Sequence, residues 1–223
     1  VMSRKDQAYE FLRKSIISNA LPPGSPVREM DIAAELNMSR SPIREAMRAL
    51  ETEGVLKSYP GRGTFVVALT PSDVEEIYEL RQLHELWALE RSFDRITDQE
   101  LDFIEKKFAE AQSSKNWEIW LQADRLLHRL IVEKSGSKKL MAFVGMLNTQ
   151  LERIRKNSTA RNISQIEKTS KEHREIITLN RKRDLPKCKE ALRNHLRSGS
   201  IIAVETSRIF HIDLDQAIAV DDR

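Results

Sequence analysis

The segment Asp-Arg-Leu-Leu-His-Arg-Leu, residues 124–130, places an aspartate and a histidine four positions apart within an apolar run. On a helix, the side chains of Asp124 and His128 lie one turn apart on the same face. Leucines flank both residues and favour burial, so the two polar side chains are expected to be drawn toward a core. The pair then either satisfies itself within that core or forms half of a binding site.

Two further histidines lie beside apolar stripes on predicted helices, His173 in KEHREIITL and His195 in ALRNHLRSG. If three helices point Asp124, His128 and these two residues into one bundle interior, the side chains build a metal site. One oxygen and three nitrogen ligands suit Zn²⁺, Ni²⁺, Mn²⁺ or Fe²⁺. Spacing alone leaves the other interpretation open, because lone histidines on helices are more often ordinary core or surface residues. The remaining histidines, His84 and His211, are not placed in this site.

The elements that must position these side chains are predicted to be helices. Only 7 Gly and 7 Pro among 223 residues leave little material for a turn-rich β fold. From residue 70 onward no convincing strand pattern occurs, and apolar periodicity together with breaks at polar, Gly and Pro residues predicts six helices. These span residues 71–94, 98–114, 116–135, 137–157, 163–182 and 185–209. They predict an all-α antiparallel helical bundle.

Composition sets outer limits on function. A chain that is 40% hydrophobic and 32% charged is typical of a soluble globular protein. No apolar stretch approaches the roughly 20 residues that a membrane helix needs, and the N-terminal residues lack the apolar core of a signal peptide. The single cysteine, Cys188, excludes an internal disulfide and a CxxC metal site. We therefore expect a cytoplasmic, nucleoid-associated protein.

The N-terminal 69 residues are predicted to form a different fold, which combines helices with a β-hairpin. Helices are predicted over residues 5–19 and 29–36, separated by the helix-breaking run ALPPGSP. A third helix is predicted with Ser41 as its N-cap, Pro42 at its first position and Gly54 at its end. Two short strands around residues 60–63 then form a β-hairpin. Three helices plus a hairpin predict a winged helix-turn-helix over residues 1–69, followed by a helical domain over residues 70–223.

The third helix has the composition of a DNA-reading element. Its apolar stripe packs inward, and N-terminal residues of a recognition helix meet base edges in the major groove. Arginine can bind guanine bidentately, and short hydroxyl side chains suit phosphates. Arg44 and Arg48 could instead be ordinary exposed charges paired with Glu45 or Glu51. The candidate DNA contacts on this helix are Ser39, Arg40, Ser41, Arg44 and Arg48, and Arg62 at the hairpin tip is placed in the adjacent minor groove.

Residues 7–67 resemble the winged-helix domain of the GntR family of bacterial transcriptional regulators. The resemblance is carried by LPPGSPV, NMSRSPIREAMRALETEGVL and PGRGTFV. It implies that the recognition-helix residues named above approach operator DNA, and that the wing residue Gly63 does so too. Asn37 departs from the family pattern, which commonly has glycine there, but asparagine tolerates the left-handed conformation that glycine supplies.

Residues 71–210 resemble the helical effector domain of the FadR subfamily, called the FCD domain. The matching segments are Asp-Arg-Leu-Leu-His at 124–128, Glu-His-Arg-Glu-Ile at 172–176, Ala-Leu-Arg-Asn-His at 191–195, and Leu-Arg-Gln-Leu-His-Glu at 80–85. The resemblance implies that Asp124, His128, His173 and His195 hold a divalent metal. It also places Arg81 and Glu85 in an effector site, where Arg81 offers a fork to a small organic or sugar acid.

Two details of this second resemblance stay open. Arg81 could instead form a salt bridge to Glu85 or Glu79 on its own helix. Leu127 stands where many members of the family have phenylalanine, which would reshape the pocket wall.

These features together predict a ligand-responsive, homodimeric regulator that binds double-stranded operator DNA. The family makes repression relieved by a carboxylate effector the commoner expectation. One alternative is a metal-dependent enzyme with a DNA-binding head, although no HExxH motif, nucleophile elbow or evident general base occurs. Another is an architectural DNA-binding protein whose metal is purely structural, which would depend mainly on phosphate contacts.

Overall fold

The computed structural model describes the backbone of residues 2–159 and 163–210, and the side chains of residues 2–157 and 167–208. The described residues are mainly helical, with one small sheet near the N-terminus. In chain order the elements are α1 (Arg4–Ile17), β1 (Pro26–Val27), α2 (Glu29–Glu35), α3 (Arg40–Thr52), β2 (Leu56–Tyr59), β3 (Gly63–Val66), α4 (Pro71–Ser92), α5 (Asp98–Ser114), α6 (Trp117–Lys134), α7 (Lys138–Thr159), α8 (Ile163–Arg181) and α9 (Leu185–Phe210). The predicted fold class is confirmed.

The contacts divide the chain into two compact units. Among the described residues, one contains residues 2–71, residues 145–156 of α7 and residues 207–210 of α9, and the other contains residues 72–144, 157–159 and 163–206. Within the described residues, no helix is both long enough and apolar enough to cross a membrane. The domain bounds predicted from the sequence, 1–69 and 70–223, remain a prediction.

The winged-helix unit is built around the crossing of α1 and α3. A capping box between Ser3 and Asp6 satisfies free N–H groups at the start of α1. Helical spacing then places one apolar stripe of each helix inward. The buried residues of the two stripes are Ala8, Leu12 and Ile16 on α1 and Ile43, Ala46, Met47 and Leu50 on α3. Because α3 buries this stripe, its polar residues are left on the outer side.

The start of α3 differs from the prediction. Ser39 is the N-cap and Arg40 the first helical residue, so Ser41 and Pro42 lie two positions deeper than expected for an N-cap and a first position. Proline is still tolerated there, because the first backbone N–H groups of a helix have no partner within it. Asn37 adopts φ +49°, the left-handed conformation that the sequence analysis assigned to it.

The sheet has three antiparallel strands in the order β1-β3-β2. The predicted hairpin corresponds to β2 and β3, with Tyr59 opposite Gly63 at its closed end. The sequence analysis missed β1, because the proline-rich run that contains it predicts only a break. Pro26 pairs with Phe65 at the edge of the sheet, where proline is tolerated, and Val27 is buried in the core.

Residues 145–156 of α7 pack within the first unit. Gln150 Nε2 donates to the carbonyl oxygen of Glu53 at 2.6 Å, and Arg153 Nη2 donates to that of Val67 at 2.6 Å. Thr149 Oγ1 donates to the Glu53 carboxylate at 3.1 Å. These bonds fix the C-terminal end of α3 and the chain that leaves β3.

The second unit is a helical bundle around a single large apolar core. The helices α4, α5, α6, α8 and α9 each bury apolar residues in it, so the polar residues on their inner faces are held in a low-dielectric interior. Representative buried residues are Leu89, Leu101, Phe108, Trp120, Leu127, Ile131, Ile176, Ile177, Leu192 and Leu196.

Replacing Gly54 by alanine is expected to lower the free energy of unfolding by about 1–2 kcal/mol, because its φ of +68° disfavours a residue with a Cβ. The added Cβ would also lie 3.0 Å from Gln150 Nε2. Gly145 in α7 is the matched control. Open space surrounds it, so Gly145→Ala should raise the free energy of unfolding by up to about 1 kcal/mol. Urea denaturation monitored by circular dichroism measures the free energy of unfolding of both variants. Changes of the same sign in the two variants would contradict the account.

Candidate metal centre

Four buried side chains converge inside the helical unit, as the sequence predicted. Asp124 and His128 come from α6, His173 from α8 and His195 from α9. One ligand atom from each lies within 4.8 Å of the others. Each residue is at most 5% exposed, so the cluster is closed off from bulk water.

The inner atoms of the cluster are closely spaced. The Nε2 atoms of His128 and His195 lie 3.2 Å apart. Asp124 Oδ1 lies 3.2 Å from His173 Nε2 and 3.5 Å from His128 Nε2. Three imidazole nitrogens and one carboxylate oxygen therefore surround a common point, which is the donor set of a divalent transition metal.

Carboxylates outside the cluster orient two of the three imidazoles. Glu85 Oε2 lies 2.5 Å from His128 Nδ1, and Glu172 Oε2 lies 2.9 Å from His195 Nδ1. A carboxylate can only accept, so Nδ1 of each ring donates its N–H and Nε2 presents its lone pair to the cluster. This is the tautomer that metal ligation requires.

His173 is held by packing, with Asp124 of the cluster itself beside its Nε2 atom. Its ring stacks on Phe108 with centroids 4.7 Å apart and planes inclined by 21°. Among the described residues neither ring nitrogen has an aligned hydrogen-bond partner. Burial, together with the neighbouring His195, lowers the pKa of His173 to about 3, and burial also lowers the pKa of His195. Both rings are therefore held neutral, as metal ligands must be.

Arg81 and Glu85 lie beside the cluster on α4. Arg81 Nε donates to Glu85 Oε1 at 2.7 Å, which is the salt bridge considered in the sequence analysis. Burial raises the pKa of Glu85, but its contacts with His128 and with the Arg81 guanidinium outweigh burial and hold this pKa well below its ordinary value. Both oxygens of Glu85 are engaged, whereas Arg81 Nη2 is buried without a hydrogen-bond partner in the described part of the chain.

A cavity of about 310 Å³ reaches the outer side of His195. Its polar lining combines three carboxylates with one lysine, one asparagine and His195. The lining residues are Glu172, Glu175, Leu179, Lys187, Glu190, Ala191, Asn194 and His195.

The candidate DNA contacts all lie at the surface of the winged-helix unit. The exposed residues are Ser39, Arg40, Ser41, Arg44 and Arg48 on or beside α3, and Arg62 and Gly63 at the hairpin. Arg44 pairs with Glu29 of α2 rather than with Glu45 or Glu51. These assignments to DNA remain a prediction.

Sequence reasoning missed the supporting residues. Glu172 precedes the predicted ligand His173, yet its carboxylate contacts His195, a pairing that only the packing of α8 against α9 creates. Phe108 lies on α5, and its contact with His173 likewise depends on tertiary packing. The contact between Glu29 and Arg44 could not be predicted from the sequence, because the two residues are 15 positions apart in the chain. Of the predicted effector-site residues, Arg81 contacts Glu85, and Glu85 in turn contacts His128 of the cluster. His84 lies outside the cluster and packs edge-to-face on Phe143, and His211 lies outside the described residues.

Comparisons with known proteins agree with this architecture. The chain matches the bacterial regulatory proteins of the gntR family over residues 4–66 and the FCD domain over residues 76–198. The uncharacterized HTH-type transcriptional regulator YdhC of Bacillus subtilis is 32% identical over 196 residues, which cover 85% of this chain and 84% of that protein. The HTH-type transcriptional repressor RspR of Escherichia coli K12 is 25% identical over 197 residues, covering 87% of this chain and 86% of that protein.

A solved structure shows the same fold. The structure of E. coli McbR/YncC matches with a TM-score of 0.78 at 21% identity, covering 92% of this chain and 99% of that chain. Together with the family matches, a winged helix-turn-helix joined to an FCD-type helical unit defines the class of DNA-binding transcription regulators. The chain belongs to the GntR family and carries an FCD domain, an architecture consistent with the FadR subfamily.

Replacing Glu85 by leucine is expected to lower the free energy of unfolding by about 3–5 kcal/mol, because it leaves Arg81 buried without its counter-ion. The double variant Arg81→Met/Glu85→Leu removes both charges and should recover most of that loss. Chemical denaturation of chelator-treated protein measures the two. Losses that simply add in the double variant would show that Arg81 and Glu85 do not stabilise each other.

Proposed function

We propose that this regulator binds operator DNA as a homodimer and represses transcription until a small carboxylate effector binds beside a divalent metal in the helical unit. The observation that carries the proposal is the buried Asp-His-His-His cluster, beside which Arg81 Nη2 has no hydrogen-bond partner among the described residues. A buried group of this kind is unfavourable unless an ion and an anion complete it.

The donor set favours an ion of the transition series. Asp124, His128, His173 and His195 would hold it, and Glu85 and Glu172 would orient two of the imidazoles. When bound, the ion supplies open coordination positions for water or a carboxylate oxygen. Zn²⁺, Ni²⁺ and Mn²⁺ are all compatible with three imidazoles and one carboxylate.

Arg81 makes a carboxylate the favoured effector class. Its Nε is held by Glu85, and its buried Nη2 has no acceptor within the part of the chain that the structure describes. Arg81 lies next to the cluster, because Glu85 contacts Arg81 Nε with one oxygen and His128 Nδ1 with the other. An organic or sugar acid could therefore bind the ion with one oxygen and the guanidinium with another.

We expect a dimer because one winged-helix unit offers only a small contact surface to DNA. A single winged helix contacts few phosphates and few bases, whereas a two-fold pair reads inverted half-sites about 34 Å apart. Effector binding would then shift the population between states that fit and do not fit the operator.

Metal binding is tested by thermal unfolding of chelator-treated protein with Zn²⁺, Ni²⁺ or Mn²⁺ added. An ion at 100 times its Kd should stabilise the protein by about 2.7 kcal/mol, a shift of several degrees. His128→Ala should abolish the shift, while His84→Ala, which removes a histidine outside the cluster, should keep it. Equal shifts in both variants would place the ion elsewhere.

The effector class is tested on the same protein with a panel of small carboxylates. One acid should add further stabilisation only when metal is present, and Arg81→Lys should weaken that response, because lysine lacks the planar fork. His128→Ala should bind operator DNA as wild type without effector and lose the response to it. A surviving response would remove His128 from the effector mechanism. Turnover of the acid by pure protein would instead favour a metal-dependent enzyme.

Base reading is tested by replacing Arg44 with alanine. Removal of the Arg44 guanidinium should weaken operator binding by about 1–3 kcal/mol and relax the preference at one base position. Arg4→Ala removes an equal charge from the exposed start of α1 and should leave the base preference unchanged. Competition binding against operators that differ at single positions is the measurement. An unchanged preference in Arg44→Ala would exclude Arg44 from base reading.

A further inference from the structure

One carboxylate in the winged-helix unit binds two of the candidate reading arginines at once. Glu29 Oε1 accepts from Arg44 Nε at 2.8 Å, and its Oε2 accepts from Arg44 Nη2 at 2.9 Å. The same Oε2 accepts from Arg40 Nη2 at 3.0 Å and from Arg40 Nε at 3.3 Å. Glu29 lies on α2 and both arginines lie on α3, so the contact joins the two helices of the helix-turn-helix.

The edge of each guanidinium that Glu29 contacts determines which of its N–H groups stay available for other acceptors. In both arginines the contact uses the Nε and Nη2 side. A guanidinium is planar, so its remaining N–H groups, two on Nη1 and one on Nη2, point away from an acceptor on that side. These remaining donors form the fork that matches O6 and N7 of guanine. Glu29 therefore fixes each side chain while leaving its base-reading edge unoccupied.

A purely stabilising role does not explain this arrangement. The side chains of Arg40 and Arg44 are 58% and 51% exposed, and that of Glu29 is 24% exposed. Ion pairs at such exposure are screened by solvent and salt and contribute little to folding. The hydrogen bond from Arg44 is the main cause that lowers the pKa of Glu29, to about 2, so the carboxylate stays ionised under working conditions.

The position of Glu29 has two consequences for DNA binding. Arg40 and Arg44 lie four residues apart on one helix, where like charges repel and long side chains otherwise sample many rotamers. A shared counter-ion holds both in one geometry before DNA arrives. Its negative charge also weakens contacts with phosphates of any sequence, which penalises non-specific binding.

We propose that Glu29 is a positioning residue for operator recognition, which pre-orients Arg40 and Arg44 for base edges and disfavours their use as non-specific phosphate contacts. The inference rests on the proposed reading role of these two arginines. It makes Glu29 a determinant of specificity rather than of affinity.

The test compares full-length wild type with Glu29→Gln, Glu29→Asp and Glu35→Gln. The specific probe is the duplex that wild type enriches from a random double-stranded library, and the non-specific probe is its scrambled sequence. Glu29→Gln should lower the specific-to-non-specific affinity ratio about tenfold, in the range of one lost bidentate base contact. Its non-specific binding should strengthen, with a salt slope steeper by up to about 1. Glu29→Asp keeps the charge but shortens the reach, so its ratio should also fall.

Glu35→Gln removes the same charge from an exposed position of α2 and should keep the wild-type ratio. Melting temperatures within a degree of wild type separate loss of specificity from loss of folding. If both Glu29 variants keep the wild-type ratio, the inference is overturned. It is also overturned if the ratio falls only in Glu29→Gln, because the negative charge alone, without the positioning of the two arginines, would then explain the specificity. Wild type that enriches no sequence would refute base reading itself, a different failure from that of Glu29.

Discussion

The burial of three imidazoles and one carboxylate around a single point is the constraint on which the helical unit depends. Protein groups alone do not satisfy this cluster, since His173 has no aligned partner for either ring nitrogen within the described residues. Burial keeps His173 and His195 neutral, and two outer carboxylates fix the tautomers of His128 and His195. A buried cluster of this kind is costly to retain unless a ligand completes it, which supports the proposed metal centre.

The winged-helix unit uses a carboxylate in a related way. Glu85 and Glu172 contact imidazoles from their outer side, and Glu29 contacts two guanidinium groups along their Nε and Nη2 edge. In each case the carboxylate occupies one edge of a functional group and leaves the other edge available. Binding groups held in this manner lose less conformational freedom when their ligand arrives.

Much of the fold and the centre of the site could be predicted from the sequence, because both rest on short-range patterns. Apolar periodicity and breaks gave the starts of α4 to α9 to within one residue. The spacing of Asp124 and His128 along one helix placed both on one face. What the sequence could not supply depends on tertiary packing. The partner of Arg44 is 15 residues away on another helix, Glu172 contacts a histidine of α9, and β1 is a two-residue strand whose only support is its pairing with β3.

The most direct test of the central claim is the anomalous scattering signal of crystals grown from full-length protein loaded with Zn²⁺. The account predicts one strong peak within about 2.0–2.2 Å of Nε2 of His128, His173 and His195 and of a carboxylate oxygen of Asp124. It also predicts that Glu85 and Glu172 keep their contacts with the outer nitrogens. No peak in the cluster, or zinc bound only by surface carboxylates, would contradict the account and leave the four residues as a buried polar cluster without a metal.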